Sequence, residues 1–228
     1  MDFWNNLLFG YYPYIAGTVF LVGSVVRFDM SQYTWKAGSS QLLDSSLRFR
    51  YASNFFHVGI ILLFFGHLVG LLMPHSWYPH LGLTVESKQI LAMTAGAIFG
   101  LAILGGGGVL LYRRLTDPRV RAQSTRMDIF ILLLLYVQLI LGLLTIPVSA
   151  AHVSGTEMIA LSDWAQRIVT FRPGAAAMVA HVPWLYKTHL FLGLTVFLVF
   201  PFTRLVHIWS APIWYLGRRY QIVRMRSG

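Results

Sequence analysis

The sequence is 228 residues long, with 56% hydrophobic and only 11% charged side chains. About a quarter of the residues in soluble globular domains are charged, so this composition excludes an ordinary soluble protein and indicates an integral membrane protein. The formal charge of +10 could suggest a nucleic-acid partner. However, the basic residues cluster in short loops between hydrophobic segments, without interleaved stacking aromatics, and we expect no nucleic acid to bind.

The sequence contains no cysteine. This absence excludes disulfides, resident iron–sulfur clusters, thioether-linked haem and thiolate zinc sites. Redox chemistry would therefore use histidine ligands here or cofactors held by a partner. The first residues, MDFWNNLLFG, have no basic region typical of a signal peptide, so we expect the first hydrophobic segment to be a retained membrane helix.

Five apolar segments are long enough to cross a hydrocarbon core of about 30 Å. They are residues 3–26, 53–73, 89–112, 129–148 and 185–209. We predict an all-α integral membrane protein, a five-helix transmembrane bundle forming a single membrane domain over residues 1–228, with a tail at 210–228. The longest connection contains the weakly amphipathic stretch GTEMIALSDWAQRIV, which we expect to lie along the membrane surface.

The basic residues are distributed unequally between the two sides of the predicted bundle. One side has most of the 18 Lys and Arg, whereas the other has Lys88, Arg167, Arg172 and Lys187. The positive-inside rule then predicts a periplasmic N-terminus and a cytoplasmic C-terminus in a bacterial inner membrane.

Two predicted spans each contain two histidines. His57 and His67 lie in the second span, and His189 and His207 lie in the fifth. Because these spans run in opposite directions, His67 and His189 are expected near the outer face, and His57 and His207 near the inner face. Ionisable side chains at membrane depth usually face a bundle interior or a cofactor, so the sequence predicts two histidine pairs.

The register of these pairs stays open at this stage. The two histidines are about 15 Å apart along the second span and about 27 Å apart along the fifth, at the helical rise per residue. In a continuous helix, His189 and His207 would share a face, while His57 and His67 would differ by about 80°. Pro201 lies between the ligands of the fifth span and can kink it.

Paired neutral imidazoles are suitable axial ligands for haem iron, and a haem with both axial positions filled transfers electrons. Each histidine alone could equally be a core residue bonded to a carbonyl. A rival interpretation of all four is a haem-free proton channel or transporter. That function would favour acidic residues at mid-membrane depth, and none of the eight Asp and Glu lies in the middle of a predicted span.

Several residues near these histidines are further candidates. Gly59, Gly66 and Gly70 would form a shallow strip on the second span, suited to a flat macrocycle or to ordinary helix packing. Lys88 could hydrogen-bond a quinone oxygen or be an interfacial anchor. Arg204 could contact a haem propionate or a lipid phosphate.

The remaining histidines lie in predicted outer connections. His75 and His80 occur in PHSWYPH, and His152 and His181 occur in the long loop. We expect solvated side chains without a role, because a zinc site in PHSWYPH would lack further ligands. The glycines from Gly96 to Gly108 are assigned to helix packing.

Motifs along the whole length identify a family resemblance. They are YPYIAGTVFL, SNFFHVGIILLFFGH, RRLTDPRVRA, LGLLTIPVSA, EMIALSDWAQRIVTF and HLFLGLTVFLVFPFTRLVHIWSAPIWYLGRRYQIVR. The chain resembles the gamma subunits of membrane-bound respiratory nitrate reductases, which are dihaem cytochromes b. The resemblance implies two haem b groups, the distal one on His67 and His189 and the proximal one on His57 and His207.

The resemblance also implies a quinol site at Lys88, with Gly66 and Gly70 beside it. Menaquinol or ubiquinol would be oxidised near the periplasm, and electrons would pass inward to an iron–sulfur beta subunit and a molybdenum-containing alpha subunit. The implied biological role is nitrate assimilation and anaerobic respiration. An alternative of the same class is the membrane cytochrome of a sulfur-metabolism or heterodisulfide-reductase-like complex.

Overall fold

The computed structural model describes residues 3–35, 46–151, 154–210 and 217. This part of the chain is all-helical, and five helical segments are long and apolar enough to cross a membrane, as predicted. They are Phe3–Thr34, Leu47–Leu72, Val85–Thr116, Arg126–Ala151 and Trp184–Phe202. Lys36, His152 and the basic residues of the tail lie outside the described residues.

Six longer α-helices are named here in chain order. They are α1 (Tyr12–Ser31), α2 (Leu47–Leu72), α3 (Val85–Thr116), α4 (Arg126–Ala151), α5 (Thr156–Val169) and α6 (Trp184–Val199). Helices α2 and α3 begin earlier than hydropathy predicts, because polar caps set their first turns. Ser46 caps α2, and Thr84 and Ser87 form a capping box on α3.

The fifth span is not one helix to residue 209. The α-helix ends at Val199, and two 3₁₀ segments follow it, Phe200–Phe202 and Arg204–Ser210. Pro201 lacks the backbone N–H that a continuing helix requires, and Thr203 between the segments is extended. The predicted boundary was therefore wrong. The expectation that His189 and His207 share a face, which assumed a continuous helix, does not apply.

The five spans pack in an open order. α2 packs against α3, α3 against α4, α4 against α6, and α6 against α1. Among the described residues, α2 and α6 are not one of the closely packed pairs. The space between α2 and α6 is called the cleft below; His57 and His67 lie on α2 and His189 lies on α6, whereas His207 lies on the 3₁₀ segment after α6.

The predicted surface helix forms as α5 and covers one end of the bundle, called the outer end below. Its Trp164 is buried, and the indole Nε1 donates to the carbonyl oxygen of Phe9 at 2.8 Å. The buried core cluster around Trp164, Val179 and Tyr186 stabilises this end.

Candidate functional site

The outer predicted histidine pair comes together across the cleft. The ring centroids of His67 on α2 and His189 on α6 are 6.2 Å apart, with an angle of 41° between the ring planes. The two residues are 122 positions apart in the sequence, so only the packing of the spans brings them close. The rings of the inner pair, His57 and His207, make no such contact in the described part of the chain, and their pairing stays a prediction.

Both histidines of α2 have a fixed tautomer. The Nδ1–H of His67 donates to the carbonyl of Leu63 at 2.8 Å, and that of His57 donates to the carbonyl of Ser53 at 2.7 Å. A carbonyl only accepts, so the proton must be on Nδ1 and the lone pair on Nε2. Such a backbone bond is typical of histidines whose other nitrogen binds a metal.

His189 lies against α4, where two residues shape its surroundings. The Gln138 side chain donates to the His189 carbonyl at 2.8 Å, and its Nε2 lies 3.5 Å from the Nε2 of the imidazole. A Cβ added to Gly142 would approach the ring carbon Cε1 to 3.0 Å. The buried Nδ1 of His189 has no hydrogen-bond partner among the described residues. The His189 ring is therefore confined by Gln138 and Gly142, and its Nδ1 has no hydrogen-bond partner among the described residues.

These observations fit a haem between the two rings. A metal–imidazole bond is about 2 Å long, so one ion between facing imidazoles sets their centroids about 6 Å apart. In the described chain no three histidine, cysteine or acidic side chains gather as metal ligands. Two imidazoles suffice for haem iron, because the porphyrin fills the equatorial positions.

The inner histidine His207 lies on the 3₁₀ segment Arg204–Ser210. Its Nδ1–H donates to the Arg204 carbonyl at 2.5 Å, which leaves Nε2 as an acceptor, as in α2. The guanidinium of Arg204 lies 3.5 Å from the Asp128 carboxylate at the start of α4. The predicted contact of Arg204 with a propionate is untested, and the structure gives this side chain a carboxylate partner.

Two residues of α1 stabilise the break that follows α6. Arg27 donates through Nη1 to the carbonyls of Pro201 at 2.6 Å and of Thr203 at 2.8 Å. A Cβ on Gly23 would come within 2.8 Å of the Pro201 ring, so this position requires a glycine for the helices to meet. Arg27 and Gly23 thus fix the turn that presents His207.

Lys88 is buried at the start of α3, with 5% of its surface exposed. Its ammonium group donates to the Gly70 carbonyl at 2.9 Å and to the Tyr78 hydroxyl, and it lies 4.3 Å from the centroid of the Tyr78 ring. An interfacial anchor would extend its amine into solvent, whereas the amine of Lys88 is buried. Two of its three N–H groups have partners among the described residues, and a third remains for a ligand.

The three glycines of the predicted strip on α2 have different surroundings. A Cβ on Gly59 would approach Ile103 of α3 to 2.5 Å, so this glycine serves helix packing. Gly66 and Gly70 have nothing within 4 Å of the same position. The space beside His67 is therefore open along the turn that ends next to Lys88.

The loop histidines do not share one environment. The Nε2 of His75 lies 2.9 Å from the Asp163 carboxylate on α5, with both side chains partly exposed. His80 and His181 are exposed. His75 thus has a partner that the sequence pattern did not reveal.

A separate cavity of about 450 Å³ lies at the other end of the bundle, the inner end, between the starts of α2 and the last turns of α3. It is lined by Ser46, Arg48, Phe49, Gly105, Gly108, Val109, Tyr112 and Arg113. Arg113 lies 4.0 Å over the Phe49 ring. None of the predicted site residues lines this cavity.

Sequence reasoning missed Gln138, Gly142, Tyr78, Asp163 and Arg27. The only available signal was the presence of a glutamine and an arginine within apolar segments, since such groups require hydrogen-bond partners. Their partners are distant in sequence, so no spacing rule points to them.

Taken together, the membrane-spanning bundle and the paired histidines of α2 and α6 define the class of membrane cytochromes that hold haem between helices. The chain matches the family described as "Nitrate reductase gamma subunit" over residues 5–226. It is 53% identical over 226 residues to the respiratory nitrate reductase 1 gamma chain of Escherichia coli, covering 99% of this chain and 100% of the relative. It is 37% identical to the nitrate reductase gamma chain of Bacillus subtilis, covering 98% and 99%.

A more distant similarity is 32% identity over 120 residues to an Hdr-like menaquinol oxidoreductase cytochrome b-like subunit of Archaeoglobus profundus. It covers 51% of this chain and 32% of the relative. The chain belongs to the nitrate reductase gamma subunit family. It is thus a membrane cytochrome b subunit of a respiratory nitrate reductase, an oxidoreductase complex. Respiration is supported by these relatives, whereas the predicted role in nitrate assimilation has no support.

Proposed function

We propose that the chain oxidises quinol at the outer end of the bundle and passes the electrons inward through two b-type haems. The observation that carries this proposal is the approach of His67 and His189 across the cleft, with ring centroids 6.2 Å apart. The N-terminus would be periplasmic and the C-terminus cytoplasmic, in the inner membrane of a bacterium. Residues 1–228 would form one membrane domain.

His67 and His189 would hold the outer haem, and His57 and His207 the inner one. When bound, haem iron accepts and donates single electrons. Each pair of imidazoles would hold its haem iron through nitrogen, which suits electron transfer and not the binding of oxygen. The backbone carbonyls that accept from Nδ1 keep three of the four rings in the required tautomer, and Gln138 and Gly142 orient the ring of His189.

Quinol would bind beside His67. Gly66 and Gly70 leave room for a flat ring there, and Lys88 has an N–H to donate to a quinol oxygen. A quinol that loses its protons develops negative charge on oxygen. An adjacent ammonium in a buried place stabilises that charge more strongly than it would in water.

The electrons would leave at the inner end. This chain has no cysteine for an iron–sulfur cluster, so the acceptor belongs to a partner. We infer an iron–sulfur beta subunit, followed by a molybdenum-containing alpha subunit that reduces nitrate. Menaquinol or ubiquinol would reach the outer site from the lipid surrounding the bundle.

The membrane cytochrome of a heterodisulfide-reductase-like or sulfur-metabolism complex is the second candidate. The similarity to the Archaeoglobus protein favours it, but that similarity covers only half of this chain. Because that relative is a subunit of a menaquinol oxidoreductase, the similarity supports a quinol as the electron donor. Family membership gives no support to a haem-free channel or transporter.

Difference spectra of the purified complex test the proposal. Quinol should produce the α-band of reduced b-type haem, and dithionite should reveal two haems per chain. Lys88→Ala should slow reduction by quinol at least about 10-fold, since it removes a charge-assisted bond worth about 1.5–3 kcal/mol. Reduction by dithionite should be unchanged. Lys187→Ala is the matched control, because the amine of Lys187 donates to the Ala180 carbonyl, away from the proposed quinol site. A complex without a haem spectrum, or Lys88→Ala with wild-type quinol kinetics, would contradict these assignments.

A further inference from the structure

Polar groups continue from buried Lys88 towards the outer surface. The ammonium donates to the hydroxyl of Tyr78, which lies in the connection between α2 and α3. Tyr78 is itself only 3% exposed. A tyrosine hydroxyl both accepts and donates, so it can receive a proton from the lysine on one side and release its own on the other.

Tyr78 is coupled to α5 on its far side. Its hydroxyl interacts with the Ser162 side chain, and the Asp163 carboxylate acts on it electrostatically. Burial, more than any other effect, raises the pKa of Tyr78 above its ordinary value, and Asp163 raises it further. The hydroxyl therefore remains protonated at neutral pH, which a proton carrier requires.

The last members of the series reach solvent. His75 and Asp163 lie 2.9 Å apart, and their side chains are 33% and 39% exposed. The His75 ring also contacts the Tyr78 ring edge to face, with centroids 5.2 Å apart. Exposure thus increases from Lys88 and Tyr78 to this pair, as expected of a path from a buried site to bulk water.

We propose that Tyr78 and the His75–Asp163 pair carry protons from Lys88 to the outer solvent. This inference rests on the proposed oxidation of quinol. Lys88 gives an ammonium proton to the Tyr78 oxygen as the Tyr78 hydroxyl proton passes to the pair, the neutral amine of Lys88 then takes a proton from a quinol hydroxyl, and the pair releases its proton to water. The two electrons of the quinol would be taken up by the haem groups of the proposed function, and two protons per quinol would leave by this path.

Other charged groups do not offer the same route. Among the described residues, the Tyr78 ring contacts His75, the Asp163 carboxylate acts electrostatically on Tyr78, and Lys88 donates to the Tyr78 hydroxyl. Arg167, one turn further along α5, donates to the Pro173 carbonyl. A proton leaving Lys88 through the described residues therefore passes Tyr78, because the other partner of its amine is the Gly70 carbonyl, which cannot carry a proton onward.

The test uses the whole complex in lipid vesicles, with a menaquinol analogue as donor. Tyr78→Phe keeps the ring and removes the hydroxyl, so the maximal rate of haem reduction should fall about 100-fold, as on loss of a positioned proton carrier. His75→Ala and Asp163→Asn should lower that rate on the order of 10-fold and change its pH profile. The analogue concentration for half-maximal rate should stay unchanged in all three. His80→Ala, an exposed neighbour on the same loop, is the control.

Two readouts separate proton transfer from a merely structural role. Proton release, followed with a pH dye outside the vesicles, should slow together with haem reduction, and the solvent deuterium isotope effect should increase. Added imidazole should restore the rate of His75→Ala, because that position is partly exposed to solvent. Wild-type rates, pH profiles and isotope effects in the three variants would overturn the path. Wild-type complex that quinol does not reduce would instead overturn the proposed function itself.

Discussion

The outer histidine pair belongs to continuous helices, whereas the inner pair depends on a broken one. His67 and His189 lie within α2 and α6, and helix packing alone sets the distance between their rings. His207 follows the break at Pro201, and side chains from other helices hold its segment. The outer site therefore depends on close packing, and the inner site depends on charged hydrogen bonds.

This difference also separates the chemistry expected at the two ends. Around the outer pair are an open strip, a buried ammonium and a polar series reaching solvent, which suits a site where substrate and protons arrive and leave. Near the inner pair, Arg27 donates to the backbone carbonyls that precede His207, and Arg204 forms an ion pair with Asp128. At the inner end, these contacts hold the segment that contains His207, the residue proposed to bind the inner haem.

The largest effect is expected from removing one histidine of each pair. His189→Ala should remove the outer haem and abolish reduction of the inner haem by quinol, because the path loses its entry. His207→Ala should remove the inner haem but leave the outer haem reducible. Difference spectra with quinol and then dithionite distinguish the two, and exposed His181→Ala is the control. Full reduction of the inner haem by quinol in His189→Ala would contradict the assigned path.

A smaller effect is expected from Arg27→Ala. It leaves the carbonyls of Pro201 and Thr203 without their charged donor, and each such bond contributes about 1.5–3 kcal/mol. Haem should be lost from the inner site at lower temperature, while the outer haem is retained, as measured by difference spectra during heating. Arg119→Ala is the control, because this side chain is 71% exposed and its ion pair contributes little. Equal loss of both haems would show that the effect of Arg27→Ala is not confined to the inner site.

Gly142→Ala tests the close packing of the outer site. The added methyl would lie 3.0 Å from His189 Cε1, and overpacking of this kind costs about 1–3 kcal/mol. The ring should turn, which shifts the midpoint potential of the outer haem and leaves that of the inner haem unchanged in a redox titration. Gly17→Ala is the matched control, since nothing lies within 4 Å of its added methyl. An unchanged outer potential would mean that the ring is not confined by α4.

The smallest effect is expected from Asp128→Asn, which removes the carboxylate beside Arg204. Loss of a negative charge near the inner haem favours its reduction. The inner midpoint potential should therefore rise on the order of 40 mV, corresponding to about 1 kcal/mol for one electron. Asp29→Asn, an exposed acid on α1, should leave it unchanged. A fall in the inner potential would place Asp128 away from that haem.

Hydropathy predicted all five spans because a segment that crosses lipid must be a helix, which pairs its own backbone polar groups, with apolar side chains facing the lipid. The helix ends were less predictable, since Ser46 and Thr84 begin helices through local hydrogen bonds and not through apolarity. Pro201 was recognised as a kink, but the sequence could not show that the α-helix ends there, because that depends on Arg27 of another helix donating hydrogen bonds to the carbonyls of Pro201 and Thr203.

The four candidate histidines could be named from the sequence, and their role as ligands stays a prediction, whereas their surroundings could not be predicted. Histidines are rare within apolar segments, so their positions alone mark them as candidate site residues. Gln138 and Tyr78, in contrast, have their roles only through partners on other helices, His189 and Lys88. Such partnerships follow from helix order and rotation, which hydropathy and spacing do not contain.

The open order of the spans also bears on how the protein is made. Each predicted pair takes one histidine from α2 and one from the last span or the segment after it, and α2 and α6 are not closely packed. If these pairs bind haem as proposed, neither would be complete until the ribosome has synthesised His189 or His207, and haem capture would follow synthesis of the last span. A chain arrested before α6 would contain a packed α2–α3–α4 unit without a complete haem site, which gives the cell a means to distinguish unfinished subunits from finished ones.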